Sequence, residues 1–185
     1  MKAMLSADAE SAARLPSSLS PSLSLLREDV GASIIHLFLS PGHNYFGHHG
    51  GPAGRHPTVE VSEIFCVAGR GIRGDRFFDY RPDYKGQITF FAEEDLVKMW
   101  EDLGLPAEAR NPAACRRNVI TRGFDPTCWI GREFSLQGVR FLGIEECRPC
   151  YWMNSAIHAQ AEGWLKGRGG LRAKILTDGK IRVCG

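Results

Sequence analysis

Long apolar runs are missing from this 185-residue chain: none approaches a membrane span, and the N-terminus has no continuous apolar segment of the kind that directs secretion. A large excess of one charge is missing too. Twenty-three basic residues stand against 21 acidic ones, a formal net charge of +2. Whole-chain electrostatics therefore give no reason to expect nucleic acid or a membrane as partner, and any anion site has to be local. Cysteine is sparse for a disulfide-built scaffold. The six, at 66, 115, 128, 147, 150 and 184, sit in a chain large enough to fold without staples, so a reducing, cytoplasmic setting is expected. An internal repeat, a phosphate-loop or dinucleotide signature and a flavin or iron–sulfur motif are also absent, and no Ser/His/Asp arrangement follows from spacing.

What is present is an ordinary globular composition, 43% hydrophobic and 24% charged, enough for one domain. Residues 1–32, rich in Ser and Ala, are expected to be a poorly ordered or loosely packed extension, with an organellar transit peptide as the alternative, and residues 33–185 the domain. "ASIIHLFLSPG" reads as a strand stopped by Pro41-Gly42, and "HNYFGHHGGPAGRHP" as a loop of unusual composition. "TVEVSEIFCVAG" alternates as a strand with Val59, Val61, Ile64 and Cys66 facing inward after a local break. "QITFF" and "RRNVITRG" are further strands, and Gly138 turns a hairpin between "REFSL" and "VRFLGIE". Leu96, Val97, Trp100 and Leu103 fall at helical spacing, with acids in the first turn and Gly104 at the end. After Cys150, Met153, Ile157, Ala161 and Trp164 share one face of a second helix. Asp178-Gly179 signals a closing hairpin. Many short, glycine-bounded strands with two helices predict a β-rich α+β domain that is barrel-like.

The chemistry-bearing motif is "GIEECRPCYWMNS", with Cys147 and Cys150 around Arg148-Pro149. That spacing fits a dithiol, half of a metal knuckle, unreactive core thiols, or one special thiol with a neighbour. A helix opening after Cys150, with Arg148 beside it, would favour a thiolate there. A zinc site would need partners from Cys115, Cys128, Cys184 or the loop histidines His43, His48, His49 and His56, and no second tight pair exists. In "GIRGDRF", Arg73 and Arg76 are guanidinium donors, Gly71 and Gly74 permit close backbone approach, and Asp75 can orient an arginine. "CRRN" adds Arg116, Arg117 and Asn118. These loops and Arg148 either converge on one anionic ligand or are solvated strand ends.

The order "GRGIRGDRFF", "CRRNVITRGFD", "IGREFSLQG", "IEECRPCYWM" and "GLRAKILTDGKIRV" resembles the MOSC family, named after the C-terminal domain of molybdenum cofactor sulfurase, from about Ile34 to Val183. The resemblance implies a mixed, mostly antiparallel β-barrel with a few peripheral helices. It also implies a molybdenum cofactor of the molybdopterin type, bound through Gly74, Asp75, Arg76, Arg117, Asn118 and Arg148. Cys150 matches the family's invariant cysteine, as metal ligand or sulfur carrier, and Cys147 is either a functional neighbour or packing. Many relatives have histidine where Phe77 stands, which leaves His43, His48 or His49 as substitutes. Two activities follow from the resemblance. One is reduction of a small N-hydroxylated substrate with an external electron donor. The other is delivery of persulfide sulfur from Cys150, loaded by a separate cysteine desulfurase.

Overall fold

All five residues of "ITFFA" are buried, because this strand lies between two layers. The computed structural model describes residues 30–46 and 50–184, and the expected extension lies almost wholly outside them. The first strand, β1 (Ser33–Leu39), leads to β2 (Val59–Glu60), β3 (Glu63–Val67), β4 (Gly71–Ile72) and the buried β5 (Ile88–Ala92). Helix α1 (Glu93–Asp102) and β6 (Val119–Arg122) follow, then β7 (Glu133–Leu136), β8 (Val139–Glu146), α2 (Trp152–Ala156), α3 (Ala161–Leu165), β9 (Leu171–Ile175) and β10 (Gly179–Arg182). A seven-stranded sheet has the order β2-β1-β6-β5-β9-β8-β7, and a three-stranded sheet the order β10-β3-β4. Only β5 and β6 pair in parallel. A parallel pair needs a crossover, and α1 lies within it.

Phe90 and Ile88 of β5 enter one apolar cluster, with Ile64, Ile72, Phe141, Ile175 and Ile181 from both sheets. Phe91 faces the other way, into a cluster with Leu96 and Met99 of α1, Met153 of α2 and Leu165 of α3. The same division splits β1. Adjacent Leu37 and Phe38 are both buried, one in each cluster, because successive strand residues point to opposite faces and both faces are covered; a register shift precedes them between Ile34 and His36.

The sheets are open, and this corrects the barrel. The outer strands β2 and β7 have no ladder between them. The "TVEVSEIFCV" run is two strands, not one: β2 pairs with β1, while β3 pairs with β10 and β4, and Val59 is 46% exposed. The closing hairpin is likewise replaced by a corner. Strand β9 already has β5 on one edge and β8 on the other, so β10 has no free edge there and joins β3. Asp178 makes the corner by accepting from Ala68 N at 2.7 Å. The second helix is broken into one-turn pieces, with Asn154 Oδ1 accepting from Glu162 N at 2.8 Å across the break. Such side-chain bonds to backbone compete with helix continuation. Met153, Ile157, Ala161 and Trp164 still reach the α1 side of the sheet. Among the described residues no helix is long and apolar enough to cross a membrane.

Candidate functional site

The Ile72–Asp75 turn decides where the guanidinium of Arg76 goes. Gly74 takes φ +85° there, a region closed to most side chains, and Asp75 turns inward with a side chain only 1% exposed. Its carboxylate accepts from Ser40 N at 3.2 Å, Phe77 N at 3.1 Å and Asn118 Nδ2 at 3.2 Å. Asn118 is equally committed. Its Oδ1 accepts from Thr89 N and Thr89 Oγ1 at 3.1 and 2.8 Å, and its amide also donates to Phe38 O at 3.2 Å. Together they tie β1, β5 and β6 to the turn and leave Arg76 projecting the other way.

Arg76 enters a hollow of about 730 Å³, open mouth included. Arg116, Arg117, Arg148 and Arg172 line it too, and no carboxylate does. Cys147 forms part of its wall and is only 6% exposed, whereas Cys150 lines the same hollow and is exposed. Gly74, Asp75 and Asn118 are not among the lining residues. Arg117 lines the hollow yet spends its donors on the frame: Nε to Gly169 O at 2.9 Å, Nη1 to Cys115 O at 2.7 Å, and Nη2 to Cys147 O at 2.9 Å. Arg116 likewise bonds neutral groups, Ser40 Oγ at 3.1 Å, Gly42 O at 3.0 Å and Thr58 Oγ1 at 3.3 Å, and it sits at φ 53° in the left-handed region, an uncommon place for a side-chain-bearing residue.

This charge is poorly compensated. Burial, then repulsion from Arg76, pushes Arg116 down to about 10. Burial also lowers Arg76, whose one acidic contact is Asp75 at 3.4 Å. Arg172 is disfavoured by burial, but Cys147, Tyr84 and its 3.1 Å pair with Glu145 raise it on balance. His43, beside Phe77 at 4.9 Å between ring centroids, is held below the usual imidazole range by burial and by Arg76 and Arg116. Desolvated cations without partner anions are costly, so the arrangement suits an anionic ligand.

The sequence motifs that meet here match a single profile, that of the MOSC domain, over residues 47–183. The chain belongs to the MOSC domain family. No curated protein matches it significantly. Among solved structures, this MOSC domain is similar to the YuaD protein from Bacillus subtilis, with 18% identity and a TM-score of 0.63 over 82% of this chain and 91% of that one. It is also similar to YiiM from Escherichia coli, with 17% identity and a TM-score of 0.56 over 77% and 65% of the respective chains. YiiM from Geobacillus stearothermophilus gives 14% identity and a TM-score of 0.58 over 82% and 71%. At these identities the likeness is one of fold.

Among the described residues of this MOSC domain no three His, Cys, Asp or Glu side chains are grouped to hold a metal ion; His48 and His49, candidate partners for a zinc knuckle, lie outside those residues. One expectation needs revision. The helix expected behind Cys150 is a single turn beginning at Trp152, too short for a substantial dipole. The sequence reading missed Arg172 and Tyr84. Arg172 had a signal: in "LRAKI" the buried positions are Leu171, Ala173 and Ile175, which puts residue 172 on the opposite face.

Proposed function

We propose that this MOSC domain binds a molybdopterin-type cofactor in the arginine-lined hollow, with Cys150 as molybdenum ligand, and reduces small N-hydroxylated substrates with electrons from an external donor. The observation that carries the reading is five arginines around one hollow that no carboxylate enters. The residues fit the group. Guanidinium forks suit a terminal phosphate, the rings of Tyr45, Phe77 and Tyr84 offer flat walls, and an exposed thiol is a soft ligand for the metal. Trp152 Nε1 is a buried donor without a partner among the described residues, and its ring lies 4.9 Å from that of Tyr45.

Arg76 and Arg148 would contact the anionic end directly. Arg117 would do so with the donor capacity left after its three backbone bonds, and Gly74, Asp75 and Asn118 would act by fixing Arg76. Cys147 closes the wall behind Cys150. When bound, the cofactor supplies a metal that changes oxidation state, which oxygen removal from an N-hydroxyl group requires.

The exposure of Cys150 also suits a second reading, in which it carries persulfide sulfur from a separate cysteine desulfurase to an acceptor. The test is anaerobic purification from a molybdenum-replete host, with molybdenum and pterin measured in wild type and C150A. Reduction of an N-hydroxylated base is then assayed with a reduced viologen dye as donor. Stoichiometric molybdenum and turnover, both lost in C150A, are expected. Cofactor without turnover under any reductant would favour the carrier, and wild-type protein without molybdenum or pterin would overturn both readings.

A further inference from the structure

Two arginines and a histidine from three separate segments line the hollow together: His43 from the loop after β1, Arg76 from the turn after β4, and Arg116 from the segment before β6. Arg76 and Arg116 are adjacent, with Arg76 Nη2 donating to Arg116 O at 3.5 Å. The His43 ring packs on Phe77, whose face also carries the Arg76 guanidinium at 4.9 Å. Phe46 and Tyr80 flank the ring at 5.5 and 5.8 Å. The imidazole nitrogens of His43 bond none of the described residues, although the group is half-buried. The charged groups acting on it are Arg76, Arg116, Asp75 and, from its own loop, His56. Of these only Asp75 is acidic, and its oxygens already accept from Ser40, Phe77, Asn118 and Arg76.

We infer that Arg76, Arg116 and His43 form an oxyanion subsite whose occupant is captured together with a proton on His43. The inference rests on the reading of the hollow as an anion pocket. In the empty subsite a proton on His43 would add a third positive charge to two arginines that lack free acidic partners, so the ring stays neutral. A doubly charged tetrahedral oxyanion between the two guanidiniums reverses that field, and the imidazole then gains by protonating and donating to it. No bond is made or broken; one proton moves from solvent to an imidazole nitrogen. By linkage, whatever raises the proton affinity of His43 on anion binding raises anion affinity equally on acidification. The ligand class is a phosphoryl or sulfuryl group, as a free ion or as the end of a larger molecule.

The probe is inorganic sulfate, which has no titratable proton in the relevant range, added to the full chain produced in a host unable to make the cofactor. Binding is followed by calorimetry in buffers of different ionisation enthalpy and by NMR of the His43 ring. Sulfate should raise the His43 midpoint by about one pH unit, so that affinity weakens about tenfold from the acid to the alkaline limit. H43Q should lose the tightening on acidification, and H56Q should keep it. R116Q should lose most binding and R116K should regain part of it. Sulfate affinity independent of pH, a His43 midpoint unmoved by sulfate, or H43Q that still tightens would overturn the inference. A terminal phosphate and a free anion are separated by repeating the titration on cofactor-loaded protein, where an occupied subsite no longer takes sulfate. Protein with neither molybdenum nor pterin that still takes up sulfate with a proton keeps this inference and loses the cofactor reading. A cofactor-loaded chain whose cofactor-free form lacks proton-linked sulfate binding does the reverse.

Discussion

Arg116 and Arg117 are adjacent in sequence and opposite in assignment, which makes the pair a sensitive test of the site. Arg117 is 7% exposed and ties its own turn, through the carbonyl of Cys115, to two distant segments, through the carbonyls of Cys147 and Gly169. A hydrogen bond from a charged donor contributes about 1.5–3 kcal/mol. Such bonds are not additive, and removing one partner of a buried charged contact typically costs about 3–5 kcal/mol. R117M keeps the side-chain length and removes all the donors, stranding three carbonyls. It should lose about 3–5 kcal/mol, which for a domain of this size lowers Tm by roughly 10 °C or more. R116M gives up bonds to Ser40, Gly42 and Thr58 but relieves burial and the repulsion from Arg76, so it should cost about 1–2 kcal/mol, less than R117M. The assay is urea and thermal unfolding of cofactor-free protein followed by circular dichroism. If R117M were as stable as wild type while R116M collapsed, the division into frame and ligand contact would be wrong.

Thiol labelling should divide the cysteines by depth: Cys128, Cys150 and Cys184 are exposed and react in the native state, while Cys66, Cys115 and Cys147 are buried and wait for denaturant. Cys147 labelling as fast as Cys150 would contradict its place in the wall. Burial pushes the Cys66 thiol up to about 12 and the Cys115 thiol up to about 11. Above about pH 9 these thiols ionise in the unfolded chain and not in the folded one, so each should remove about 1.4 kcal/mol of stability per pH unit until its folded value is reached. Denaturant titrations of C66A and C115A between pH 8 and 10.5 should show a shallower alkaline decline, and an unchanged slope would refute the assignment. In G169A the added Cβ would lie 2.3 Å from Cys147 O, so the segment carrying both cysteines must move; a large loss of stability, with faster Cys147 labelling, is expected.

Strands β1, β5 and β6 and helix α1 were legible because each is dictated locally, by a run of β-branched and aromatic residues or by apolar spacing with a glycine stop. The partners of β3 and β10 were not. Whether "TDGK" closes a hairpin depends on whether β9 has a free edge, and β8 and β5 occupy both. Likewise, nothing local to Val59 or Val61 says that the chain changes sheets between Glu60 and Glu63. At the site, the motifs drew notice to Asp75 and Asn118, but their roles depend on contacts with Ser40 and Thr89, 35 and 29 residues away. Cys150 is exposed and lines the hollow, while the helix invoked behind it depended on unbroken spacing that Asn154 interrupts.

The charge arrangement argues that the hollow is not an accident of packing. A frame needs fixed hydrogen bonds, and Arg117 shows how this fold makes them, by aiming guanidinium nitrogens at backbone carbonyls. Arg76 and Arg116 are in addition desolvated enough to lose proton affinity, Arg76 disfavours Arg116, and Arg116 holds a left-handed backbone that glycine would adopt at lower cost. Asp75 sits one residue from Arg76, yet the turn at Gly74 sends its carboxylate to Ser40, Phe77 and Asn118, so the one acid in reach is largely committed to the frame. Selection for folding alone would relax such a cluster with a carboxylate or an apolar side chain, since replacing buried charge by well-packed hydrocarbon is often neutral or stabilising. Strain and poorly compensated positive charge concentrated on the same few residues are the pattern expected where stability has been given up for binding, and the sign of that charge favours the anionic ligand proposed above.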